Sequence, residues 1–237
     1  MFIKQIYTSC LSQASYYVES DGESIIIDPI RDSKIYEDLV FERGSKVKYI
    51  FETHFHADFI SGHLDLKNIF NSEIVFGSVA DTNYEITKAA NNSFFNVGSI
   101  KIKVLHTPGH TPESVCYLLL DKNNNEYCVF TGDTLFIGEV GRPDLAVSSS
   151  VTERHLAAQL FDSLHNILMK LNDDVIVYPA HGPGSACGKN FSNETFSTIG
   201  EQKKNNYALQ KMTKEEFIKV VLEGILAAPK YFSHDAK

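Results

Sequence analysis

Three histidines and an aspartate lie within one short segment of this chain, directly after an apolar run. His54, His56, Asp58 and His63 follow residues 47–51, whose sequence VKYIF predicts a buried strand. A tight loop after a strand brings its side chains towards one point, and imidazole with carboxylate is a set of groups that binds metal ions. A polar loop whose histidines only form hydrogen bonds is the alternative interpretation of this stretch.

Three further metal-type side chains stand at the ends of other predicted strands. They are His110 in TPGHTP, Asp133 in TGD and His181 in PAHG, each beside a glycine or a proline. Four such strand ends, with His54, predict one shared metal site. His54, His110 and Asp133 form a two-histidine, one-carboxylate set, which is typical of non-haem iron(II) and leaves other positions open on the metal.

The elements that must position these residues alternate between strands and helices. Asp21-Gly22 predicts a hairpin between residues 14–20 and 23–28, and a helix follows up to Gly44. Three further helices are predicted from their capping residues, which are Ser61, Ser150 with Glu153, and Thr213 with Glu216. The strands and helices fall into two halves along the chain, and each half opens with hairpins. This pattern predicts an α/β fold, namely a four-layer αβ/βα sandwich of two sheets between outer helices.

Composition narrows the functional classes. The 237 residues are 43% hydrophobic and 22% charged, and the net charge of -8 argues against a nucleic-acid surface. No segment resembles a signal peptide or a membrane span, so no membrane partner is expected. The four cysteines are scattered without C-x-x-C pairing, which favours a reducing, cytoplasmic compartment: Cys10, Cys116, Cys128 and Cys187.

The motifs THFHAD, TPGHTP, TGD and PAHG resemble those of the metallo-β-lactamase superfamily in their order and intervals. The resemblance implies a metallo-β-lactamase-type sandwich over residues 1–226, followed by a C-terminal tail at 227–237. Dinuclear hydrolases of that family carry a histidine directly after the aspartate of the first motif, where this chain has Phe59. We therefore predict a mononuclear site, although His63 could replace the missing ligand if the loop coils.

Within the superfamily, HADFISGH, GRPDL and GSACGK resemble the persulfide dioxygenase branch, in its bacterial subclass often fused to rhodanese-like domains. The resemblance implies one Fe²⁺ per chain and the oxidation of a low-molecular-weight thiol persulfide, such as glutathione persulfide. Dioxygen would be the co-substrate, and sulfite and the free thiol would be the products. The enzyme would act in hydrogen sulfide metabolism. It also implies a homo-oligomer and a rhodanese-type sulfurtransferase as a partner. The alternative is a dinuclear Zn²⁺ thioester hydrolase of the glyoxalase II type; a non-catalytic metal-binding or thiol-sensing module is the third hypothesis.

Supporting roles are predicted for residues around the metal. His56, Asp58 and His181 would hold the ligands in place through hydrogen bonds. Arg142 would bind a substrate carboxylate with Asp144 orienting it, or would only pair with Asp144 on a solvated loop. Cys187 and Lys189 lie within eight residues after His181. Lys189 would bind the substrate. The metal and Lys189 would lower the pKa of the Cys187 thiol, which would then accept or relay sulfur. A buried, inert thiol is the alternative for Cys187.

Overall fold

The computed structural model describes residues 1–147, 151–183, 185, 187–188, 194–225, 229 and 232. Within these residues, twelve strands form two six-stranded sheets. The first sheet follows the chain order β1 (Phe2–Thr8), β2 (Gln13–Ser20), β3 (Glu23–Ile27), β4 (Lys46–Phe51), β5 (Glu73–Gly77) and β6 (Thr87–Ala89). The second sheet contains β7 (Phe94–Val97), β8 (Ile100–His106), β9 (Val115–Leu120), β10 (Glu126–Gly132), β11 (Ile176–Pro179) and β12 (Ser197–Thr198), in which sequence neighbours are also neighbours in the sheet.

The helices lie on the outer faces of the two sheets. They are α1 (Lys34–Arg43), α2 (His63–Phe70), α3 (Glu153–Asp162), α4 (Ile199–Asn205) and α5 (Lys214–Leu222). The helix predicted from Ser150 and Glu153 is α3, which continues in a π-helical turn (Ser163–Ile167) and a 3₁₀ turn (Leu168–Lys170). Among the described residues, every helix is too short or too polar to cross a lipid bilayer.

Separate apolar cores hold the four layers together. The inner faces of the two sheets meet through buried aromatic and aliphatic side chains that include Tyr16, Phe51, Tyr117 and Phe130. Outside the first sheet, α1 and α2 pack through Tyr36, Leu39 and Leu66. Outside the second sheet, α3 and α5 pack through Ala157, Leu160 and Phe217. The predicted αβ/βα sandwich is confirmed.

Two predicted helix caps differ from the structure. Helix α3 begins after Thr152, whose hydroxyl accepts a hydrogen bond from the amide of His155 at 3.1 Å, whereas Ser150 lies outside the described residues. Helix α2 begins after Gly62, so the prediction of Ser61 as its N-cap was wrong by one residue. The Ser61 hydroxyl donates to Oε1 of Glu52 at 2.5 Å and is thereby held towards the preceding strand.

The strand ends that carry the predicted ligands meet along one edge of the sandwich. Strand β4 pairs in parallel with β3, and β10 pairs in parallel with β11, so their carboxyl ends point the same way. Backbone hydrogen bonds join the two sheets there: the amide of Val115 donates to the carbonyl of Thr53 at 2.9 Å, and that of Ala14 to Ala180 at 2.7 Å. Gly132 has φ +52°, and a Cβ on it would lie 2.5 Å from the Thr53 hydroxyl, so this junction requires glycine.

The predicted boundary between a domain at 1–226 and a tail at 227–237 stays a prediction. Of the tail, the structure describes only residues 229 and 232.

Candidate metal centre

The structure brings together the three residues predicted as metal ligands. Nε2 of His110 lies 3.4 Å from Oδ2 of Asp133, and Nε2 of His54 lies 3.9 Å from the same oxygen. All three side chains are buried, with a donor atom of each within 4.8 Å of the others. Neither carboxylate oxygen of Asp133 has a hydrogen-bond partner among the described residues. A buried, unpaired carboxylate is costly, so these oxygens fit a cation held between them and the two imidazoles.

Hydrogen bonds to the protein fix which ring nitrogen each histidine can offer. Nδ1 of His54 lies 2.9 Å from the Thr53 hydroxyl, which itself donates to Asp28 at 2.8 Å and so accepts from the ring. Nδ1 of His110 donates to the carbonyl of Arg142 at 2.9 Å. In both rings Nε2 is therefore the nitrogen with a free lone pair, and it faces Asp133.

Burial also keeps His54 in the form that binds metals. Removal from water, reinforced by the neighbouring rings of His56, His110 and His181, holds the pKa of His54 well below its ordinary value. A neutral imidazole is the ligand form, so no proton must be displaced from this ring when a cation enters.

The loop after β10 approaches the ligands closely. A Cβ on Gly141 would lie 1.9 Å from the carbonyl oxygen of Asp133 and 3.0 Å from Nδ1 of His110. Any larger residue would push this loop away from two of the three ligands. The glycine in the GRPDL segment thus sets how tightly the loop closes over the site.

A second group of donors lies beside the first. Nε2 of His181 is 3.2 Å from Oδ2 of Asp58 and 3.5 Å from Oδ1 of Asp133, while its Nδ1 donates to the carbonyl of Ser12. Asp133 therefore faces both groups, one oxygen towards each. The sulfur of Cys187 completes the second group, with donor atoms of Asp58, His181 and Cys187 within 4.8 Å of one another.

The sequence predicts Cys187 near the metal from its place six residues after His181, and the structure puts its sulfur beside Asp58 and His181. Burial, followed by the negative charges of Asp133 and Asp58, raises the pKa of the Cys187 thiol well above its ordinary value. The predicted lowering of this pKa requires a bound cation and Lys189, and it stays a prediction. Lys189, the other residue invoked for that effect, lies outside the described residues.

Phe59 occupies the corner where family hydrolases have a histidine. Its side chain is buried, and its ring centroid lies 4.3 Å from that of His56. His63 does not reach this corner, because its Nδ1 lies 3.1 Å from Oε1 of Glu52. His63 therefore contacts the far side of the loop and adds no donor to the group of Asp58 and His181.

His56 is held by two buried carboxylates that sequence reasoning missed. Its Nε2 lies 3.2 Å from Oδ1 of Asp28 and 3.0 Å from Oε2 of Glu52. Burial lowers the pKa of His56, but the charges and hydrogen bonds of these carboxylates outweigh it and raise the pKa well above its ordinary value. Asp28 and Glu52 directly follow β3 and β4, the same strand-end position that identified His54. The other ring nitrogen of His56, Nδ1, is buried without a hydrogen-bond partner among the described residues.

Arg142 lies at the edge of the metal centre, and its guanidinium group pairs with Asp144. Its Nε and one Nη donate to the two oxygens of Asp144, both at 2.7 Å, and its backbone amide donates to the carbonyl of Cys187 at 3.0 Å. The pair with Asp144 was foreseen, and the substrate contact stays a prediction. The visible role of Arg142 is to join the loops of His110 and Cys187.

A buried two-histidine, one-carboxylate centre at the edge of an αβ/βα sandwich defines a metal-dependent enzyme. The chain belongs to the metallo-β-lactamase superfamily: the family model of that name matches residues 8–84 and 87–181. Among solved structures, a metallo-β-lactamase from Staphylococcus aureus subsp. aureus COL is 37% identical with a TM-score of 0.91, covering 99% of this chain and 71% of that protein. ETHE1 from Myxococcus xanthus is 27% identical with a TM-score of 0.83, covering 100% and 96%.

Curated relatives divide between two activities. A hydroxyacylglutathione hydrolase from Dictyostelium discoideum is 37% identical over 174 residues, which is 70% of this chain and 61% of that relative. The human persulfide dioxygenase ETHE1 is 30% identical over 214 residues, which is 88% of this chain and 74% of that protein. The match thus spans less than two thirds of the hydrolase and a larger part of the dioxygenase.

Proposed function

We propose that this chain is a mononuclear non-haem iron persulfide dioxygenase. It would oxidise a low-molecular-weight thiol persulfide, such as glutathione persulfide, with dioxygen to sulfite and the free thiol in sulfide metabolism. The observation that carries the proposal is Phe59, a buried phenyl ring with no donor atom at the corner where a dinuclear hydrolase needs a nitrogen. The dioxygenase relatives support it, because their matches cover 88% of the chain in sequence and all of it in structure.

The residues present fit the role of holding iron(II). His54, His110 and Asp133 would bind it through Nε2, Nε2 and a carboxylate oxygen, which leaves other positions open. Iron(II), when bound, supplies a centre that accepts both dioxygen and a sulfur anion. The overall reaction balances as RSS⁻ + O₂ + H₂O giving RSH, SO₃²⁻ and H⁺. His181, with Nε2 between Asp58 and Asp133, would orient the ligand carboxylate.

Further residues complete the proposal. Arg142 and Lys189 would contact the substrate, and Cys187 would accept or relay sulfur. A cytoplasmic location, a homo-oligomer and a rhodanese-type sulfurtransferase as partner belong to the same hypothesis.

A dinuclear zinc thioester hydrolase is the second candidate, and a specific observation favours it. Asp58, His181 and Cys187 offer three donors beside the first site, so the thiol could replace the histidine that Phe59 removes. The 37% identity to a hydroxyacylglutathione hydrolase points the same way.

Metal content and oxygen consumption together separate the two candidates. Protein purified without oxygen should hold about one iron per chain, and it should consume dioxygen only when a persulfide is added, with sulfite formed in equal amount. The matched assay supplies a hydroxyacylglutathione thioester with and without oxygen. Two zinc ions per chain with oxygen-independent thioester hydrolysis would reject the dioxygenase and establish the hydrolase.

A further inference from the structure

A buried chain of hydrogen bonds runs from Asp28 through Thr53 to the metal ligand His54. The Thr53 hydroxyl donates to Oδ2 of Asp28 at 2.8 Å and lies 2.9 Å from Nδ1 of His54. The Thr53 amide donates to the other carboxylate oxygen, Oδ1, at 2.7 Å. All three residues are at most 2% exposed, so the protein rather than water decides where the hydrogens of this chain lie.

The charge of Asp28 decides the direction of the chain. A hydroxyl has one hydrogen to donate, and Thr53 donates it to the carboxylate. The Thr53 oxygen must then accept from His54, which places the ring hydrogen on Nδ1 and leaves the lone pair on Nε2. Nε2 is the nitrogen that faces Asp133, 3.9 Å from its Oδ2. A donor in place of the carboxylate would reverse both hydrogen bonds and put the hydrogen on Nε2, where it blocks metal binding.

Asp28 is held in place by contacts that do not belong to this chain. Its backbone has φ +49°, a left-handed conformation that aspartate and asparagine adopt more readily than other residues with a side chain. The side-chain amide of Gln13 donates to its carbonyl at 2.8 Å, and its own amide donates to the carbonyl of Phe51 at 2.9 Å. Nε2 of His56 lies 3.2 Å from Oδ1 of Asp28 and 3.0 Å from Oε2 of Glu52, so this nitrogen carries a hydrogen. Burial raises the pKa of Asp28, whereas the charge and the hydrogen bond of His56 oppose that rise and favour the carboxylate.

We propose that Asp28 is a positioning residue that sets the tautomer of His54 through the Thr53 hydroxyl and thereby keeps Nε2 free to bind the metal. The inference rests on the metal site of the proposed function and not on its reaction, because iron(II) and zinc both require that lone pair. The carboxylate also draws the hydrogen of Nδ1 towards itself through Thr53, which makes the ring a more basic ligand.

The tautomer can be measured in the metal-free protein from the NMR chemical shifts of the His54 ring nitrogens. The wild type should carry the hydrogen on Nδ1, and an Nε2–H ring in the wild type would overturn the proposal without any variant. Asp28→Asn should carry it on Nε2. The amide oxygen stays at the Oδ1 position, where Thr53 and His56 donate, so the amide nitrogen donates to the Thr53 hydroxyl. An amide in place of a carboxylate can thus leave the geometry intact and impose the wrong imidazole tautomer.

Metal affinity is the second readout. Competition with a chromogenic chelator without oxygen should show Fe²⁺ bound about tenfold or more weakly by Asp28→Asn than by the wild type. Adding Thr53→Val to Asp28→Asn should recover at least about threefold of that loss, because no donor then forces the hydrogen onto Nε2. A merely structural role of Asp28 predicts no recovery, since the double variant loses more hydrogen bonds. A double variant that binds no more tightly than Asp28→Asn, or wild-type affinity in Asp28→Asn, would overturn the proposal.

Glu52→Gln is the matched control. Glu52 is buried as well and also contacts His56, so the variant removes a charge from the same cluster. Because Glu52 is not part of the chain to His54, the ring hydrogen should stay on Nδ1, and Fe²⁺ affinity should fall by less than in Asp28→Asn. An Nε2–H ring in Glu52→Gln would show that the charge of the cluster sets the tautomer, and it would overturn the proposal. If the role of Asp28 is confirmed and no persulfide is oxidised, the dioxygenase alone is wrong.

Discussion

The rings of Phe59 and His56 lie 4.3 Å apart between centroids, with their planes tilted by 31°. The phenyl ring thus fills the space beside a histidine of the metal loop without contributing a donor atom. On its other face the loop is fixed by Asp28 and Glu52, which hold Nε2 of His56. The residue after Asp58 is therefore packed against His56, and replacing it changes which donor atoms a metal could bind.

Phe59→His should create a second metal site. The imidazole is smaller than phenyl and would add a nitrogen to the donors of Asp58, His181 and Asp133. After identical loading with excess zinc and desalting, the variant should hold about two equivalents and the wild type about one, with dioxygenase activity lost in the variant.

Cys187→Ser is the matched variant for this comparison, because it removes the only thiol of the second donor group. A wild type that holds two zinc ions, falling to one in Cys187→Ser, would show that the thiolate already replaces the missing histidine. The mononuclear assignment would then be wrong.

Asp133→Ala should abolish metal binding. The substitution removes the carboxylate that faces both His54 and His110, and it leaves two neutral ligands for a divalent cation. Iron content by mass spectrometry should fall to less than about a tenth of the wild-type value. Asp144→Ala is the control: this carboxylate pairs with Arg142, and the variant should keep its iron. Iron retained in Asp133→Ala would show that the ligands are wrongly assigned.

Gly141→Ala should destabilise the protein and displace the metal ligands. The new Cβ would lie 1.9 Å from the carbonyl oxygen of Asp133, so the loop must move, at a cost of roughly 3 kcal/mol or more in unfolding free energy. Gly138→Ala in the same loop is the control, since it has φ +78° and no atom within 4 Å of the new Cβ. Backbone strain alone should cost that variant about 1 kcal/mol. Equal midpoints for the two variants in urea unfolding would contradict the close approach at Gly141.

Cys187 should react slowly with alkylating reagents in the metal-free protein. Its thiol is buried and its pKa is raised, so little thiolate is present at pH 8, and the rate should increase as the pH rises. Mass spectrometry of chelator-treated protein with iodoacetamide should show Cys10, which is exposed, modified at least about tenfold faster. Cys116 and Cys128 are buried as well and serve as unreactive references. Alkylation of Cys187 as fast as that of Cys10 would mean that this loop opens in solution.

The sequence was sufficient to predict that His54, His110 and Asp133 lie close together. Asp133 directly follows β10, while His54 and His110 lie three and four residues beyond the ends of β4 and β8, so each is carried to the sheet edge by its strand. The sequence also predicts Cys187 near the metal, but the contact of its sulfur with Asp58 joins residues far apart in the chain and required the tertiary structure. Asp28 and Glu52 also follow strands, but the sequence alone does not show which residue a single carboxylate contacts. That both carboxylates contact Nε2 of His56 could be seen only in the tertiary structure.

The fold shows the same division between local and non-local information. The hairpin at Asp21-Gly22, the helix end at Gly44 and the capping box of Thr213 with Glu216 are confirmed, because each is decided by a few adjacent residues. The edge strands β6 and β12 have three and two residues and exist only by pairing with β5 and β11. The π-helical turn after α3 was also unforeseen; there the Ser163 hydroxyl donates to the carbonyl of Pro108, next to the His110 loop.

The four strand ends come from different sheets: β4 of the first carries His54, whereas β8, β10 and β11 of the second carry His110, Asp133 and His181. The set of His54, His110 and Asp133 is complete only when the two halves have docked, so metal bound there would stabilise the docked arrangement over the separated halves.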